Sequence, residues 1–120
     1  PQENGNKTDV RWVALTDGEG RGLLAVGVAG REGQPWLNAS AHRFTTENLT
    51  RAQHTFELER RDESIWNLDY AQGGLGNGSC GAGVLPQYLL QPHEARFRFR
   101  LCPLSAQDSP VELSKQVIGL

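Results

Sequence analysis

With 120 residues, the chain has room for one domain with a single modest core, since folding at this size buries roughly two-thirds of the surface of the unfolded chain. Hydrophobic residues at 38% and charged residues at 22% are ordinary for a globular protein and exclude general disorder. A formal net charge of −2 gives no electrostatic basis for binding nucleic acid or an anionic membrane, and no apolar run is long enough to cross a bilayer.

The first predicted elements are two strands, over residues 9–15 and 22–28, joined by a turn with an Asp17-Gly18 step. An Asp-Gly step between two alternating segments is a strong hairpin signal. Further strands are predicted at residues 36–41, 55–59, 64–70, 87–91 and 96–101, where β-type composition lies between prolines and turn residues.

One helix is predicted, over residues 45–54. Thr45 or Thr46 can cap its N-terminus, and Leu49 and Ala52 are spaced to share one buried face. Because parallel strands need a helical crossover for each pair, one helix among many short strands favours a mainly β fold, an antiparallel β-sandwich.

The strand at residues 96–101 reads RFRFRL, with strict alternation of arginine and large apolar side chains. Successive side chains of a strand point to opposite faces, so Phe97, Phe99 and Leu101 are predicted on the core face and the arginines on a wet face. Cys102 then follows as a small core residue.

The predicted domain spans residues 1–103. After Pro103 the polar composition predicts a linker-like tail, 104–120, whose last ten residues either add a strand or stay loose. The three tryptophans, Trp12, Trp36 and Trp66, are predicted to lie in the core, the default for aromatic side chains in strands.

Residues 69–81 combine the end of a strand with a dense run of glycines. Glycine density indicates positive φ angles or close approach of another chain, so this segment is either a wide surface turn or a loop that presents something to a partner. Its match to the dinucleotide-binding pattern at 76–81 is spurious, because that motif requires a helix to begin at its third glycine and Pro86, which soon follows, discourages one.

The remaining candidates for chemistry are weak. His42, His54 and His93 have no metal-ligand spacing, so no metal is predicted. Asp62 and Glu63 are neighbours whose side chains point apart on an extended chain, which favours a solvated charged turn over a catalytic pair. No cofactor is predicted.

An ordered series of segments across most of the chain is similar to a known family. The segments are PQENG at 1–5, TDVRW at 8–12, SAHRFTTENL at 40–49, RDE at 61–63, LDYAQ at 68–72, GLGNGSCG at 74–81 and FRFRL at 97–101. From residue 1 to about residue 101, they resemble the last part of bacterial β-galactosidases of glycoside hydrolase family 2.

The resemblance implies the end of a C-terminal β-sandwich of the galactose-mutarotase-like supersandwich type in a cytoplasmic bacterial enzyme. It implies no catalytic residue here, because the family's catalytic glutamates belong to a separate barrel domain. It implies that the glycine-rich segment reaches the aglycone side of the active site, with Asn77, Ser79 and Cys80 as substrate-binding residues. Cys80 falls where many members place a tryptophan, and a thiol offers little surface for stacking a sugar ring.

Three functions are consistent with these residues. The first is a non-catalytic part of a retaining β-galactosidase, with the galactoside substrate and the other parent domains as partners. The second is a stand-alone carbohydrate-binding sandwich, and the third a mutarotase-like epimerase that uses one of the three histidines with a carboxylate. If the chain is part of a larger sandwich, one sheet face should stay uncovered, and a homodimer through that face is expected.

Overall fold

The computed structural model describes residues 5–29, 34–73 and 83–117. In these ranges the helices and strands, in chain order, are β1 Lys7–Val10, β2 Trp12–Thr16, β3 Gly22–Gly27, β4 Leu37–His42, α1 Thr46–Arg51, a 3-10 turn Thr55–Glu57, β5 Ile65–Asp69, a 3-10 turn Pro86–Tyr88, β6 Phe99–Leu104 and α2 Pro110–Lys115.

The strands form two three-stranded antiparallel sheets, in the orders β1-β4-β5 and β2-β3-β6. The chain therefore folds as a mainly β, antiparallel, sandwich-like structure, as the sequence predicts. The described ranges contain a second short helix, α2, in addition to the predicted one.

The predicted β2–β3 hairpin is confirmed, and its turn is held by Asp17. One carboxylate oxygen of Asp17 accepts hydrogen bonds from the backbone N–H groups of Glu19 and Arg21, both at 2.9 Å. Gly20 has φ +86°, a left-handed conformation that an L side chain rarely adopts. The Asp17 side chain therefore provides hydrogen-bond partners for the backbone N–H groups where the two strands reverse direction.

A bulge interrupts β1, where the register with β4 shifts between Lys7 and Val10. Asp9 has φ 55°, and its N–H donates to the Oδ1 atom of the buried Asn38 at 3.1 Å. This side chain replaces a ladder hydrogen bond that the bulge removes, as buried backbone groups require.

One cluster of buried apolar side chains lies on one face of the β2-β3-β6 sheet, and Leu37 and Ala39 of β4 are buried in the other sheet. The cluster on the β2-β3-β6 sheet is formed by Leu24, Val26 and Leu104, against which Trp12, Ala14, Cys102 and Leu113 pack. Leu24 is completely buried. Because Leu113 belongs to α2, the C-terminal helix covers this face of the sheet.

The prediction for the faces of β6 was wrong, although the alternation is present. Arg100 lies opposite Val26 on the core side, and its guanidinium donates to the backbone oxygen of Leu113 at 2.7 Å. Phe99 and Leu101, expected in the core, are 40% and 53% exposed. The reason is that α2 covers the arginine face, and a pattern within the strand does not show which face the chain will later cover.

Two predicted strands are 3-10 turns instead. At Thr55–Glu57 the Glu57 carboxylate accepts from the backbone N–H groups of Gln53 and His54, at 2.6 and 3.2 Å, which closes a turn. At Pro86–Tyr88 a proline at the first position favours a helical turn over a strand.

Helix α1 begins where Thr45 was predicted to cap it, since the Oγ1 atom of Thr45 accepts from the backbone N–H of Asn48. The residue that α1 buries is Asn48, whereas the predicted Leu49 is only half-buried. Of the tryptophans, Trp12 packs against the core as predicted, but Trp36 is 39% exposed. Cys102 packs against the core as predicted.

The strand considered for the last ten residues does not form within the described part of them. Ser109 accepts a hydrogen bond from the backbone N–H of Glu112 and begins the helix α2, with Pro110 in its first turn. A serine N-cap followed by proline is a strong helix start. The domain boundary at residue 103 stays a prediction.

None of the helices in the three described ranges is both long enough and apolar enough to cross a bilayer.

Candidate functional site at the base of the glycine-rich segment

The predicted site residues Asn77, Ser79 and Cys80 lie outside the described residues. The structure describes the chain up to Gly73 on one side of the glycine-rich segment and from Gly83 on the other. The described residues next to the candidate site are therefore its two flanks, the end of β5 and the connection that leads to β6.

The two flanks are joined by Tyr70 and His93. The hydroxyl of Tyr70, the first residue after β5, lies 3.1 Å from the Nε2 atom of His93. The Nδ1 atom of His93 lies 2.7 Å from the backbone oxygen of Gln91. A carbonyl oxygen only accepts, so Nδ1 carries a proton, and in the neutral ring Nε2 accepts from the Tyr70 hydroxyl.

Aromatic contacts extend from this pair to the second sheet. Tyr70 meets the edge of Phe97 at a centroid distance of 6.2 Å, and Phe97 meets Phe99 at 5.2 Å. These are ordinary separations for favourable aromatic pairs. Because β5 belongs to one sheet and Phe99 begins β6 in the other, the contacts join the two sheets.

His42 and His54 have separate surroundings. The Nδ1 atom of His42 lies 3.4 Å from the backbone N–H of Phe44, and the ring of His54 stacks on Phe56. Within the described ranges, no three histidine, cysteine or acidic residues lie together as metal ligands would. For the epimerase hypothesis, the ring nitrogens of His93 face a tyrosine and a carbonyl, not a carboxylate.

Asp62 and Glu63 line an open polar groove together with Asn48 and the arginines at 60 and 61. A hydrogen bond from the backbone N–H of Glu63 itself, and then the Arg61 guanidinium, lower the pKa of the Glu63 carboxyl. A lowered pKa keeps Glu63 ionised at neutral pH, which is unsuited to a general acid. The groove therefore fits the solvated charged turn that the sequence predicts.

One face of the β2-β3-β6 sheet exposes large apolar side chains. Leu23, Phe99 and Leu101 lie on the side opposite the core, and we call these three residues the open face. Leu23 is 44% exposed, and the other two are exposed to a similar degree. An apolar patch of this kind on a sheet is typical of a surface that another part of a protein covers.

Sequence reasoning missed the contact of Tyr70 with His93 and the role of Arg100. Each joins residues on different elements, separated by 23 and 13 positions. Local periodicity carries no information about such pairs. Tyr70 directly after a strand and His93 directly after Pro92 were the only local signals.

Comparison with known proteins identifies a set of relatives. The profile of a family described as beta galactosidase small chain matches residues 1–101. The beta-galactosidase of Arthrobacter sp. (strain B7) is 35% identical over 109 residues, covering 80% of this chain and 9% of that protein. The beta-galactosidase of Priestia megaterium is 34% identical over 106 residues, covering 87% of this chain and 10% of that protein. The beta-galactosidase of Actinobacillus pleuropneumoniae is 40% identical over 58 residues, covering 48% of this chain and 6% of that protein. The chain thus spans about a tenth or less of the length of the relatives it matches.

Proposed function

Because the chain belongs to the beta galactosidase small chain family, we propose that it is a non-catalytic part of a retaining β-galactosidase of glycoside hydrolase family 2. The parent enzyme would hydrolyse terminal non-reducing β-D-galactose residues. The observation that carries the proposal is the family match over residues 1–101, which includes the whole glycine-rich segment. Its fold would be part of a galactose-mutarotase-like supersandwich.

In this proposal the glycine-rich segment forms one rim of the aglycone side of the parent's active site. Asn77 and Ser79 supply short polar groups that can hydrogen-bond sugar hydroxyls. Cys80 occupies the position of an aromatic residue in many members, so stacking against the leaving sugar is weak in this protein. We place the parent in the bacterial cytoplasm, where thiols such as Cys80 and the free Cys102 stay reduced.

The test of this role is Cys80→Trp in the full-length enzyme. An indole at this position can stack on a glucose leaving group, so the KM for lactose should fall about three- to tenfold, as expected for an aromatic contact of about 1 kcal/mol. The KM for a nitrophenyl galactoside should change less. Cys80→Ser is the matched control, since it keeps the size without adding a ring. Equal changes for both substrates in Cys80→Trp would argue against an aglycone contact.

The open face supports the second part of the proposal, that the other parent domains cover this chain. The radius of gyration is 16.7 Å, compared with about 14 Å for a compact domain of this length. A flat molecule with Leu23, Phe99 and Leu101 exposed fits a piece of a larger sandwich. In the chain alone, the same face would associate with a second copy.

Two measurements on the isolated chain separate the alternatives. Calorimetric titration with lactose and galactose should give no heat of binding, whereas a stand-alone carbohydrate-binding sandwich would bind. Sedimentation velocity over a range of concentrations should show dimers. A monomer at high concentration would contradict a role for the open face as a docking surface.

A further inference from the structure

We propose that the chain binds a peptide segment of another protein, one that carries carboxylates beside apolar side chains, in a groove between the end of α2 and the adjoining end of the β3–β6 pair. The groove is lined by residues 26–29, 97–100 and 114–117, all within the described ranges. Because α2 follows the residues that match the family profile, this inference goes beyond the proposed function and does not depend on it.

The floor of the groove continues the buried face of the β2-β3-β6 sheet. Val26 belongs to the buried cluster, and Val28 follows on the same face because side chains alternate along a strand. The backbone N–H of Val28 donates to the backbone oxygen of Arg98 at 3.0 Å, so the two chain segments stay paired just beyond β3. Helix α2 packs on this face through Leu113 and ends at Lys115, and Val28 is only half-buried. The apolar face of the sheet therefore extends past the helix.

The charged side chains that line the groove are all cationic, namely Arg98, Arg100 and Lys115. No aspartate or glutamate is among its described lining residues, although the whole chain has a net charge of −2. Lys115 pairs with Glu112 at 2.9 Å, and Arg100 donates to the backbone oxygen of Leu113. Within the described ranges, the exposed side chain of Arg98 makes no hydrogen bond or ion pair. Arg98 can therefore pair with a carboxylate of a ligand.

The shape of the groove favours a peptide as its occupant. Its volume is about 800 Å³, but it is open to solvent, and its walls come from separate segments of the chain. A small-molecule site usually encloses most of the surface of its ligand, which an open groove does not do. A peptide that lies in such a groove buries apolar side chains against the floor and places a carboxylate at the rim. The apolar contact supplies affinity, and the cations select an acidic sequence.

The test uses two short fluorescent peptides and variants at exposed positions. In one peptide leucine alternates with glutamate, and in the other leucine alternates with lysine, so the apolar content is equal and the sign of the charge is reversed. Arg98→Gln removes the unpaired cation, and Arg98→Lys keeps the charge. Arg96→Gln is the matched control, because Arg96 lies on the same segment outside the groove and pairs with Glu94 at 3.6 Å. Val117→Ser makes the wall less apolar at a residue that is 96% exposed.

Fluorescence anisotropy measures the Kd of each peptide for the full chain. At low salt, the glutamate peptide should bind about tenfold more tightly than the lysine peptide, and added salt should narrow this difference. Arg98→Gln should raise the Kd of the glutamate peptide about three- to fivefold, the effect of one exposed ion pair, and Arg98→Lys should recover most of that loss. Arg96→Gln should change this Kd by less than about twofold. Val117→Ser should raise it about threefold, because the apolar contact is reduced.

Several results would overturn the proposal. They are no binding of the glutamate peptide, equal affinity for the two peptides, or equal effects of Arg98→Gln and Arg96→Gln. Tighter binding of dodecanoate than of the glutamate peptide, measured by competition, would assign the groove to a free anionic amphiphile instead. Self-association that weakens in both Arg98→Gln and Val117→Ser, measured by sedimentation velocity, would assign it to a second copy of the chain. Far-UV circular dichroism should be unchanged in every variant, since all the substituted side chains are exposed.

Discussion

Replacing Asn48 with alanine should destabilise the chain because one buried side chain connects α1 to the segment that follows it. Asn48 is 5% exposed. Its amide nitrogen donates to the backbone oxygen of Glu57 at 3.0 Å, and its amide oxygen accepts from the backbone N–H of Glu59 at 2.8 Å. The side chain thus satisfies two backbone groups that no strand ladder serves, since this segment forms a 3-10 turn instead of the predicted strand.

The expected loss in the free energy of unfolding is about 2 kcal/mol. Each neutral hydrogen bond contributes about 1 kcal/mol net, and leaving the two backbone groups unpaired adds about 1 kcal/mol. Because Glu57 and Glu59 are exposed, water can bond to their unpaired backbone groups and reduce this cost. Alanine also favours a helix over asparagine by about 0.6 kcal/mol, which offsets some of the loss.

Urea unfolding of the chain, followed by tryptophan fluorescence, measures this loss as a lower midpoint with an unchanged slope. Thr50→Ala is the matched control on the same helix, because its exposed hydroxyl bonds only to the backbone oxygen of Thr46, and the expected change is within about 0.5 kcal/mol. Asn48→Asp keeps the acceptor but turns the donor into a charge facing a carbonyl, so it should cost at least as much as alanine. An Asn48→Ala loss no larger than that of Thr50→Ala would refute the assignment.

Three further predictions concern the hairpin, the core and the open face. Hydrogen bonds from the backbone N–H groups of Arg21 and then Glu19 lower the pKa of the Asp17 carboxyl. The ionised carboxylate therefore stabilises the folded chain above the ordinary carboxyl pKa, and this stabilisation is lost as pH falls through the lowered pKa. In urea titrations, the difference in unfolding free energy between the native chain and Asp17→Asn should narrow from about pH 6 to about pH 3. Leu24→Ala removes a completely buried side chain and should cost about 2–5 kcal/mol in the same assay. Leu101→Ser on the open face should weaken self-association of the isolated chain in sedimentation velocity while changing stability by less than about 1 kcal/mol.

The parts of the fold that the sequence predicts correctly are those decided by neighbouring residues. The β2–β3 hairpin follows from an Asp-Gly turn, and the start of α1 follows from the side chain of Thr45, which reaches three residues along the chain. The predicted strand at 55–59 fails because the Glu57 carboxylate binds two backbone N–H groups just before it, a local alternative that β-type composition does not reveal. Short-range hydrogen bonds therefore favoured a 3-10 turn over a strand in that segment.

The candidate site is less predictable because its contacts cross the chain. The motif at 74–81 predicts a functional segment, but it does not predict the contact beside it between Tyr70 and His93, which lie 23 positions apart. The orientation of β6 has the same origin, since α2 covers the Arg100 face through Leu113. A period-2 pattern defines two faces and leaves their assignment to long-range packing.

The two faces of β6 connect the fold to the proposed role. The chain covers one face with its own helix α2, which lies beyond the residues that match the family profile. The other face carries Phe99 and Leu101, both within or at the end of the matched region, and these two side chains are 40% and 53% exposed. Apolar residues on a face that a chain leaves uncovered are costly unless another surface buries them. Because Phe99 also contacts Phe97, and Phe97 contacts Tyr70, a domain that covers the open face, as proposed, would lie next to this row of aromatic side chains.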